Sequence, residues 1–237
     1  MHRLANPNRF LRIITPLHPW LAAVTLLLLA AGLYLAWFGS PADYRQGETV
    51  RIMYVHVPAA WMALFVYSVI ASSSFVFLVW KHPVADIVAR SSGPIGMAFA
   101  LLTLITGALW GKPMWGAWWV WDARLTSMLI LFFLYAGYVT LSAQVEQDSA
   151  MQKSCAVLAL VGFINIPVIK FSVDWWHTLH QPASVFRLDG PAIDGSMLTP
   201  LLVMALGFMA FYLTVAFYGI RLIVARSKLY RLRMLKM

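Results

Sequence analysis

Histidine is the residue type in this chain best suited to binding a metal or a metal-containing group. The chain has six histidines but a single cysteine, Cys155, so a disulfide or a Cys-pair metal site within it is excluded. His56 lies two residues before Pro58 at the start of an apolar segment, where a helix is expected to begin. His177 and His180 are three residues apart and would share one face of a helical turn. A metal held by protein ligands alone usually has three or four donors, and these two segments offer two or three imidazoles with few carboxylates nearby.

A tryptophan-rich stretch lies between the two histidine segments. Residues 110–122 read WGKPMWGAWWVWD and contain five of the eleven tryptophans of the chain. Membrane proteins usually place one or two Trp or Tyr at each interface, so five exceed what anchoring needs. If a short helix begins near Pro113, four side chains fall within an arc of about 100°: Trp115, Trp118, Trp119 and Asp122. The other two tryptophans, Trp110 and Trp121, would point away, toward lipid or the bundle.

Two interpretations of this stretch stay open. An amphipathic helix lying in a membrane interface would use the aromatic face as an anchor. A platform for a flat apolar ligand would use the same face, because aromatic rings stack well on such a group. Asp122 argues against a plain anchor, which gains nothing from an acid on its aromatic face. Asp122 could equally cap a helix that begins near Ala123.

The composition places these residues in a membrane. Of 237 residues, 61% are apolar and 11% are charged, whereas a soluble domain is about 25% charged. Six segments have the roughly 20 mostly apolar residues that a spanning helix needs: 19–38, 56–80, 93–109, 125–144, 154–171 and 197–220. We therefore predict an all-α integral membrane protein with one membrane domain over residues 1–237 and a tryptophan-rich interfacial loop at 110–124.

Details of three spans follow from local sequence. The first span is not followed by a small-residue cleavage site, which predicts an uncleaved helix rather than a signal peptide. Gly93-Pro94 suits the start of the third helix. Pro167 is expected to kink the fifth helix, with the freed carbonyls bonded to neighbouring helices.

The basic residues lie mostly on one side of this predicted bundle. With the N-terminus in the cytoplasm, the inner segments hold twelve of the eighteen Lys and Arg residues and three acids (Asp86, Glu146 and Asp148). The inner bases are Arg3, Arg9, Arg12, Lys81, Arg90, Lys153, Arg221, Arg226, Lys228, Arg231, Arg233 and Lys236. This asymmetry predicts cytoplasmic N- and C-termini and puts the tryptophan stretch on the outer face. The basic C-terminal run is a topology determinant beside anionic lipid, so we predict no nucleic-acid binding.

Two neutral imidazoles from separate loops suit the two axial positions of a haem iron. A porphyrin is a flat apolar ring with two anionic propionates, so it would need a broad aromatic surface and nearby cations. The outer segments supply four candidate cations: Arg45, Arg51, Lys112 and Arg124. Because one cysteine cannot form a Cys-x-x-Cys-His attachment site, such a haem would be held without covalent bonds.

The stretch WGKPMWGAWWVWDARLTS at 110–127 resembles the tryptophan-rich "WWD" motif of membrane haem-handling proteins. Nearly the whole chain is similar to the haem exporter protein C (CcmC) family of bacterial cytochrome c maturation, through PADY at 41–44, YVHVPAA at 54–60 and WWHTLHQ at 175–181. The resemblance implies haem b bound non-covalently at the periplasmic face of the bacterial inner membrane. It also implies one axial histidine from each flanking loop, at positions that fall on His56 and His180. The family pattern does not require His177.

The resemblance further implies a set of partners. The family passes haem to the periplasmic haem chaperone CcmE and associates with the ABC transporter subunits CcmA and CcmB and the small membrane peptide CcmD. In this interpretation the tryptophan stretch packs the haem ring and docks the chaperone. The chain is then a haem-binding transfer component and not clearly an enzyme, and any ATPase activity would reside in a partner subunit.

Two alternative functions stay open. One is a haem-attaching synthetase of the same superfamily, which would engage a Cys-x-x-Cys-His substrate. The other is a scaffold or permease subunit of an ABC transporter. A permease would require ionisable residues in mid-span, and the predicted spans contain almost none.

Overall fold

A computed structural model describes residues 5–145, 150–181, 184–187 and 189–235. Of the residues used to predict orientation, Arg3, Glu146, Asp148 and Lys236 lie outside these ranges, as does the side chain of Arg231. The α-helices are α1 (Pro7–Tyr34), α2 (Met53–Trp80), α3 (Pro83–Trp115), α4 (Ala123–Ser142), α5 (Ala150–Gly162), α6 (Asn165–Trp175) and α7 (Gly195–Met234). Over the same ranges, β structure is limited to an isolated bridge between Asp43 and Gly47.

Within the part of the chain that the structure describes, the helices form six segments long and apolar enough to cross a membrane. These are Pro7–Gly39, Glu48–Trp80, Pro83–Trp115, Ala123–Ser142, Ala150–Trp175 and Gly195–Met234. The first includes a π-helical turn at Leu35–Gly39, and the second begins with a 3-10 turn at Glu48–Ile52. The predicted all-α architecture with six spans is therefore confirmed.

Several predicted helix ends were wrong because charged turns extend the apolar cores. The third helix begins at Pro83, ten residues before Gly93, with the His82 side chain accepting a hydrogen bond from the Ala85 N–H. An ion pair between Asp86 and Arg90, 3.0 Å apart, stabilises these added turns. The last helix continues to Met234 through the basic run, since Arg, Lys, Leu and Met are good helix formers. Similarly, α1 begins at Pro7 rather than at residue 19.

The fifth span is interrupted close to Pro167, as predicted. The chain leaves the helix at residues 163–164 and resumes at Asn165, so Pro167 lies in the first turn of α6, where a missing N–H is tolerated. The Phe163 carbonyl accepts from the Ile166 N–H at 3.0 Å rather than from a neighbouring helix, so that part of the prediction was wrong. A hydrogen bond to a neighbouring helix is present, but here the fifth span is the donor: the Asn165 side-chain amide donates to the Ser127 carbonyl of α4 at 2.8 Å.

Close packing around Tyr135 holds α2, α3 and α4 together. Tyr135 is fully buried, and its hydroxyl donates to the Ala63 carbonyl of α2 at 2.7 Å. On α3, a Cβ added at Gly96 would lie 2.2 Å from the Tyr135 ring, so only glycine fits there. Because α2 and α3 run antiparallel, this packing brings the start of α2 beside the end of α3. The end of the bundle that carries the α3–α4 loop is called the site end below.

Candidate functional site

His56 lies in the first turn of α2, with its imidazole against α3. Its Nδ1 is 3.0 Å from the Thr106 hydroxyl, and its ring makes an edge contact with Trp110 at a centroid distance of 5.6 Å. Gly107 leaves room for the imidazole, since a Cβ there would lie 3.1 Å from His56 Cε1. The Trp110 ring is fixed in turn by a 2.8 Å hydrogen bond from its Nε1 to the Gln46 side chain. Trp110 therefore packs on a candidate ligand and against the core of the bundle, which is one of the two directions predicted for it.

His180 lies in the connection between α6 and α7, outside any helix. Its ring contacts Trp115, the last residue of α3, at a centroid distance of 5.0 Å. Its backbone N–H donates to the Thr178 hydroxyl at 3.0 Å. The His180 side chain is 21% exposed, and its Nδ1 lies 3.5 Å from Asp122 Oδ2, just beyond normal hydrogen-bond length.

Asp122 performs two structural roles. Its Oδ1 accepts the Leu125 N–H at 2.7 Å, so it caps α4, which confirms one of the two interpretations of this residue. Its Oδ2 accepts from the Thr178 hydroxyl at 2.5 Å and faces His180. Asp122 thereby connects the tryptophan loop to the loop that carries His180.

The electrostatics favour a neutral His180 beside an ionised Asp122. Burial lowers the pKa of His180 and the Arg124 cation lowers it further, which outweighs the opposing effect of Asp122. Burial acts to raise the pKa of Asp122, but hydrogen bonds from Leu125 and Thr178 outweigh it and leave the pKa below its ordinary value. At neutral pH His180 thus has a lone pair available for a metal.

The tryptophan loop is not a short helix. The third helix runs on to Trp115 and ends at Gly116, whose φ of 77° lies in the left-handed region that glycine adopts readily. Residues 117–122 that follow have no helical structure. The prediction of a helix from Pro113 with one aromatic face was therefore wrong, because the loop breaks the helical periodicity after Gly116.

Four of the five tryptophans of residues 110–122 fall into two groups, and Trp119 lies beside the second. Trp110 and Trp115, on α3, each contact one candidate ligand. Trp118 and Trp121 are 56% and 77% exposed. Trp119 makes an edge contact with Trp121 at 5.4 Å, and its Nε1 is buried with no acceptor among the residues that the structure describes. One group can support a ligand, while the other is available to a partner.

The four candidate cations differ in how they are already engaged. Arg124 Nε donates to the Ser172 hydroxyl at 3.1 Å, and its charge contributes to lowering the pKa of His180. Arg51 pairs with Glu48, donates to backbone carbonyls near the end of α1 and lies over Trp37. Lys112 donates to the Gly116 carbonyl at 3.1 Å. Arg45 is exposed and lies over the Tyr44 ring.

Sequence reasoning missed two hydroxyl groups at the site, Thr106 and Thr178. Thr178 could have been found, because a Thr two residues before His180 commonly forms a local side-chain to backbone bond. No sequence pattern pointed to Thr106, because only the packing of α2 on α3 brings it to His56. His177 is exposed and lies in the same connection as His180.

Comparison with known proteins identifies the family. A family model described as Heme exporter protein C matches residues 1–235. The chain belongs to this family. It is 52% identical to Heme exporter protein C of Bradyrhizobium diazoefficiens over 98% of the chain and 88% of that protein, and 43% identical to the protein of the same name from Haemophilus influenzae over 96% and 94%. It is also 49% identical to a putative cytochrome c biosynthesis ccmC-like mitochondrial protein of Marchantia polymorpha, over 81% and 80%.

Membership in the haem exporter protein C family confirms the resemblance seen in the motifs. The chain is a multi-pass membrane protein of cytochrome c biogenesis, and the family handles haem. The donor set at the site end fits haem as the cargo. Over the described ranges, no group of three or more His, Cys, Asp or Glu residues could hold a metal ion by itself. Two imidazoles are the number that the axial positions of a haem iron require.

Proposed function

We propose that this chain binds haem b non-covalently between His56 and His180 and delivers it to a periplasmic haem chaperone. One observation carries the proposal: two histidines from different elements each pack on a tryptophan near the end of α3, His56 on Trp110 and His180 on Trp115. Imidazole is the common axial ligand of haem iron, and aromatic rings supply the apolar surroundings that a porphyrin needs. His177, which is exposed, has no role as a ligand in this proposal.

The propionates of the haem would meet Arg124 first. Arg124 is half-buried near the start of α4, so its attraction for a carboxylate is less screened than that of an exposed cation. Arg51 already has a carboxylate and two carbonyls as partners, which makes it a secondary candidate, with Arg45 and Lys112. The buried Nε1–H of Trp119 is a further donor that a propionate oxygen could satisfy.

The site end would face the periplasm, with both termini in the cytoplasm of a bacterium. The support is the charge asymmetry of the sequence, in which the inner segments carry twelve of the eighteen bases. The 40-residue α7 continues past the apolar part of its span, so its last turns carry several of these bases beside the membrane surface.

The exposed tryptophans support a docking role for the loop. Trp118 and Trp121 lie close to the proposed haem site and are free to contact another protein, and tryptophan is enriched at the centres of interfaces. We propose CcmE as the chaperone that docks there, CcmA and CcmB as the ABC transporter subunits of the same complex, and CcmD as its small membrane peptide. In this complex ATP hydrolysis would reside in a partner subunit, and the present chain ligates and positions the haem.

The axial assignment is tested by purifying the full chain with His56→Ala, His180→Ala or His177→Ala. We expect the first two variants to lose most of their haem, or to retain it with an altered absorption spectrum, because one axial ligand is missing. His177→Ala is the matched control and should retain haem with an unchanged spectrum. Normal haem in both of the first two variants would overturn the assignment, and loss in His177→Ala alone would assign the ligand to His177 instead of His180.

A further inference from the structure

Both candidate ligands direct Nδ1 toward a protein group. His56 directs it at the Thr106 hydroxyl of α3, and His180 directs it at the Asp122 carboxylate at the start of α4. A neutral imidazole carries its proton on one nitrogen and its lone pair on the other, so the partner of Nδ1 decides whether Nε2 can bind a metal. This selection of a tautomer is a common function of the groups that surround metal-bound histidines.

The Thr106 hydroxyl selects one tautomer of His56. A hydroxyl has a single proton, and the Thr106 oxygen lies 2.6 Å from the Leu102 carbonyl and 3.4 Å from the Thr103 carbonyl of its own helix. The Leu102 carbonyl can only accept, so at this short distance the Thr106 hydroxyl donates its one hydrogen bond to that carbonyl. The Thr106 oxygen must then accept from His56 at 3.0 Å, which places the imidazole proton on Nδ1 and the lone pair on Nε2.

The Asp122 carboxylate selects the same tautomer of His180. Asp122 Oδ1 accepts from the Leu125 N–H and Asp122 Oδ2 accepts from the Thr178 hydroxyl, so both carboxylate oxygens act as acceptors. His180 Nδ1 lies 3.5 Å from Asp122 Oδ2 and has no hydrogen-bond partner among the described residues, so a proton on Nδ1 would be directed at the carboxylate, whereas a lone pair there would face another lone pair. The Thr178 hydroxyl also receives the His180 N–H, which holds the backbone of the ligand in register with the cap of α4.

We propose that Thr106 and Asp122 are positioning residues that hold His56 and His180 with Nε2 unprotonated and available to iron. This inference rests on the proposed haem-binding function. It assigns Asp122 a role beyond capping α4. It also assigns a role to the Thr106 hydroxyl, a polar group within the mostly apolar α3. Neither residue touches the iron, and each acts through the histidine beside it.

The Asp122 half of the proposal is tested with Asp122→Asn in the full chain. Asparagine is as good a helix cap as aspartate, so α4 should be retained. Its amide nitrogen would donate to His180 Nδ1 and move the imidazole proton to Nε2, which blocks ligation. We expect haem affinity to fall by about tenfold or more, with a five-coordinate spectrum that added imidazole returns to six-coordinate. The control Asp194→Asn alters a carboxylate that bonds the Ser196 N–H at the start of α7, and it should leave the spectrum unchanged.

The Thr106 half is tested with Thr106→Val, which keeps the shape and removes the hydroxyl. We expect a loss of affinity similar in size to that of Asp122→Asn, with recovery in Thr106→Ser. The matched control is Thr25→Val, since the Thr25 hydroxyl also lies 2.8 Å from a carbonyl of its own helix and 2.9 Å from a hydroxyl on another helix. Nitrogen NMR of the haem-free protein labelled at histidine gives a second readout, in which His56 and His180 should show a protonated Nδ1 and an unprotonated Nε2.

These experiments separate failure of this inference from failure of the proposed function. If His56→Ala and His180→Ala retain normal haem, the axial assignment is wrong and the positioning roles fall with it. If those two variants lose haem while Thr106→Val and Asp122→Asn keep normal affinity and spectra, the ligands are right and the positioning roles are wrong. A protonated Nε2 on either histidine in the NMR spectrum of the unaltered chain overturns the role of the residue beside it. This readout does not depend on whether the substituted variants fold.

Discussion

The two candidate ligands are held in different ways. His56 belongs to the first turn of α2, and the groups around it, Thr106, Gly107 and Trp110, all lie on α3. His180 lies in the connection between α6 and α7, whose described residues form no helix, and it is held by Trp115, Asp122 and Thr178. One ligand is fixed by the packing of two long helices, and the other by one ring and a few polar contacts.

This difference indicates how a membrane protein can bind a large flat group and still release it. Helices packed through a buried core keep a side chain within a fraction of an ångström, which favours a permanent wall of the site. A ligand on a connection between helices moves at lower energetic cost, because fewer buried contacts are broken. We therefore expect His56, with Thr106, Gly107 and Trp110 around it, to form a fixed side of the site, called the His56 wall. His180, with Trp115, Asp122 and Thr178, should form a movable side, called the His180 wall or the weaker wall.

The largest effect should come from replacing each ligand and supplying imidazole in solution. In His56→Ala the lost side chain leaves a space bounded by α2 and α3, so added imidazole should bind there and restore a six-coordinate spectrum. In His180→Ala the space opens into a connection, and imidazole should restore the spectrum only at a concentration about tenfold higher, which corresponds to about 1.4 kcal/mol. A titration followed by absorption measures this, and equal imidazole affinities would show that the two walls do not differ.

Gly107→Ala tests the rigidity of the His56 wall. The added Cβ would lie 3.1 Å from His56 Cε1, closer than nearly all real contacts, so the imidazole must move by a few tenths of an ångström. Misplacement by 1 Å can cost about a hundredfold, so we expect a loss of haem affinity on the order of threefold. Gly137→Ala is the control, because a Cβ there makes an ordinary 3.6 Å contact with Leu158. An unchanged affinity in Gly107→Ala would show that the α2–α3 wall yields as easily as the loop.

Thr178→Val tests the weaker wall. The change removes the hydroxyl that bonds Asp122 and receives the His180 N–H, and one such bond contributes about 1 kcal/mol. We expect haem affinity to fall about fivefold and haem dissociation to become faster, while the environment of His56 is unchanged. Thr199→Val is the control, since its hydroxyl bonds only to its own helix at the Gly195 carbonyl, among the contacts that the structure describes. Normal dissociation kinetics in Thr178→Val would mean that Trp115 alone holds His180.

The sequence predicted the spans well but their ends poorly. Apolar runs locate the membrane-crossing part of a helix, because lipid requires them. The start of α3 and the end of α7 lie beyond the apolar runs, where ion pairs such as Asp86–Arg90 and good helix-forming residues extend the helix without an apolar signal.

At the site, too, some residues could be predicted from the sequence pattern, and others are brought together only by helix packing. Histidines and tryptophans could be singled out by type and position. The contacts of Thr106 with His56 and of Gln46 with Trp110 join residues 50 and 64 positions apart, and no local pattern encodes such pairs. The loop after Gly116 was mistaken for a helix because aromatic spacing suggested a face, although a glycine in the left-handed region ends helices frequently.

Trp121→Ala should have the smallest effect on ligation, and it separates both walls from the outer surface of the loop. Trp121 is 77% exposed and contacts neither histidine; its ring contact is with Trp119 at 5.4 Å. We expect haem affinity within about twofold of the unaltered chain, whereas capture of the haem chaperone should weaken about tenfold, as is typical for an interface tryptophan. Trp20→Ala is the control, because Trp20 is 74% exposed on α1 and should affect neither measurement. Loss of haem from Trp121→Ala would instead make this tryptophan part of the His180 wall, and that wall would then extend beyond Trp115, Asp122 and Thr178.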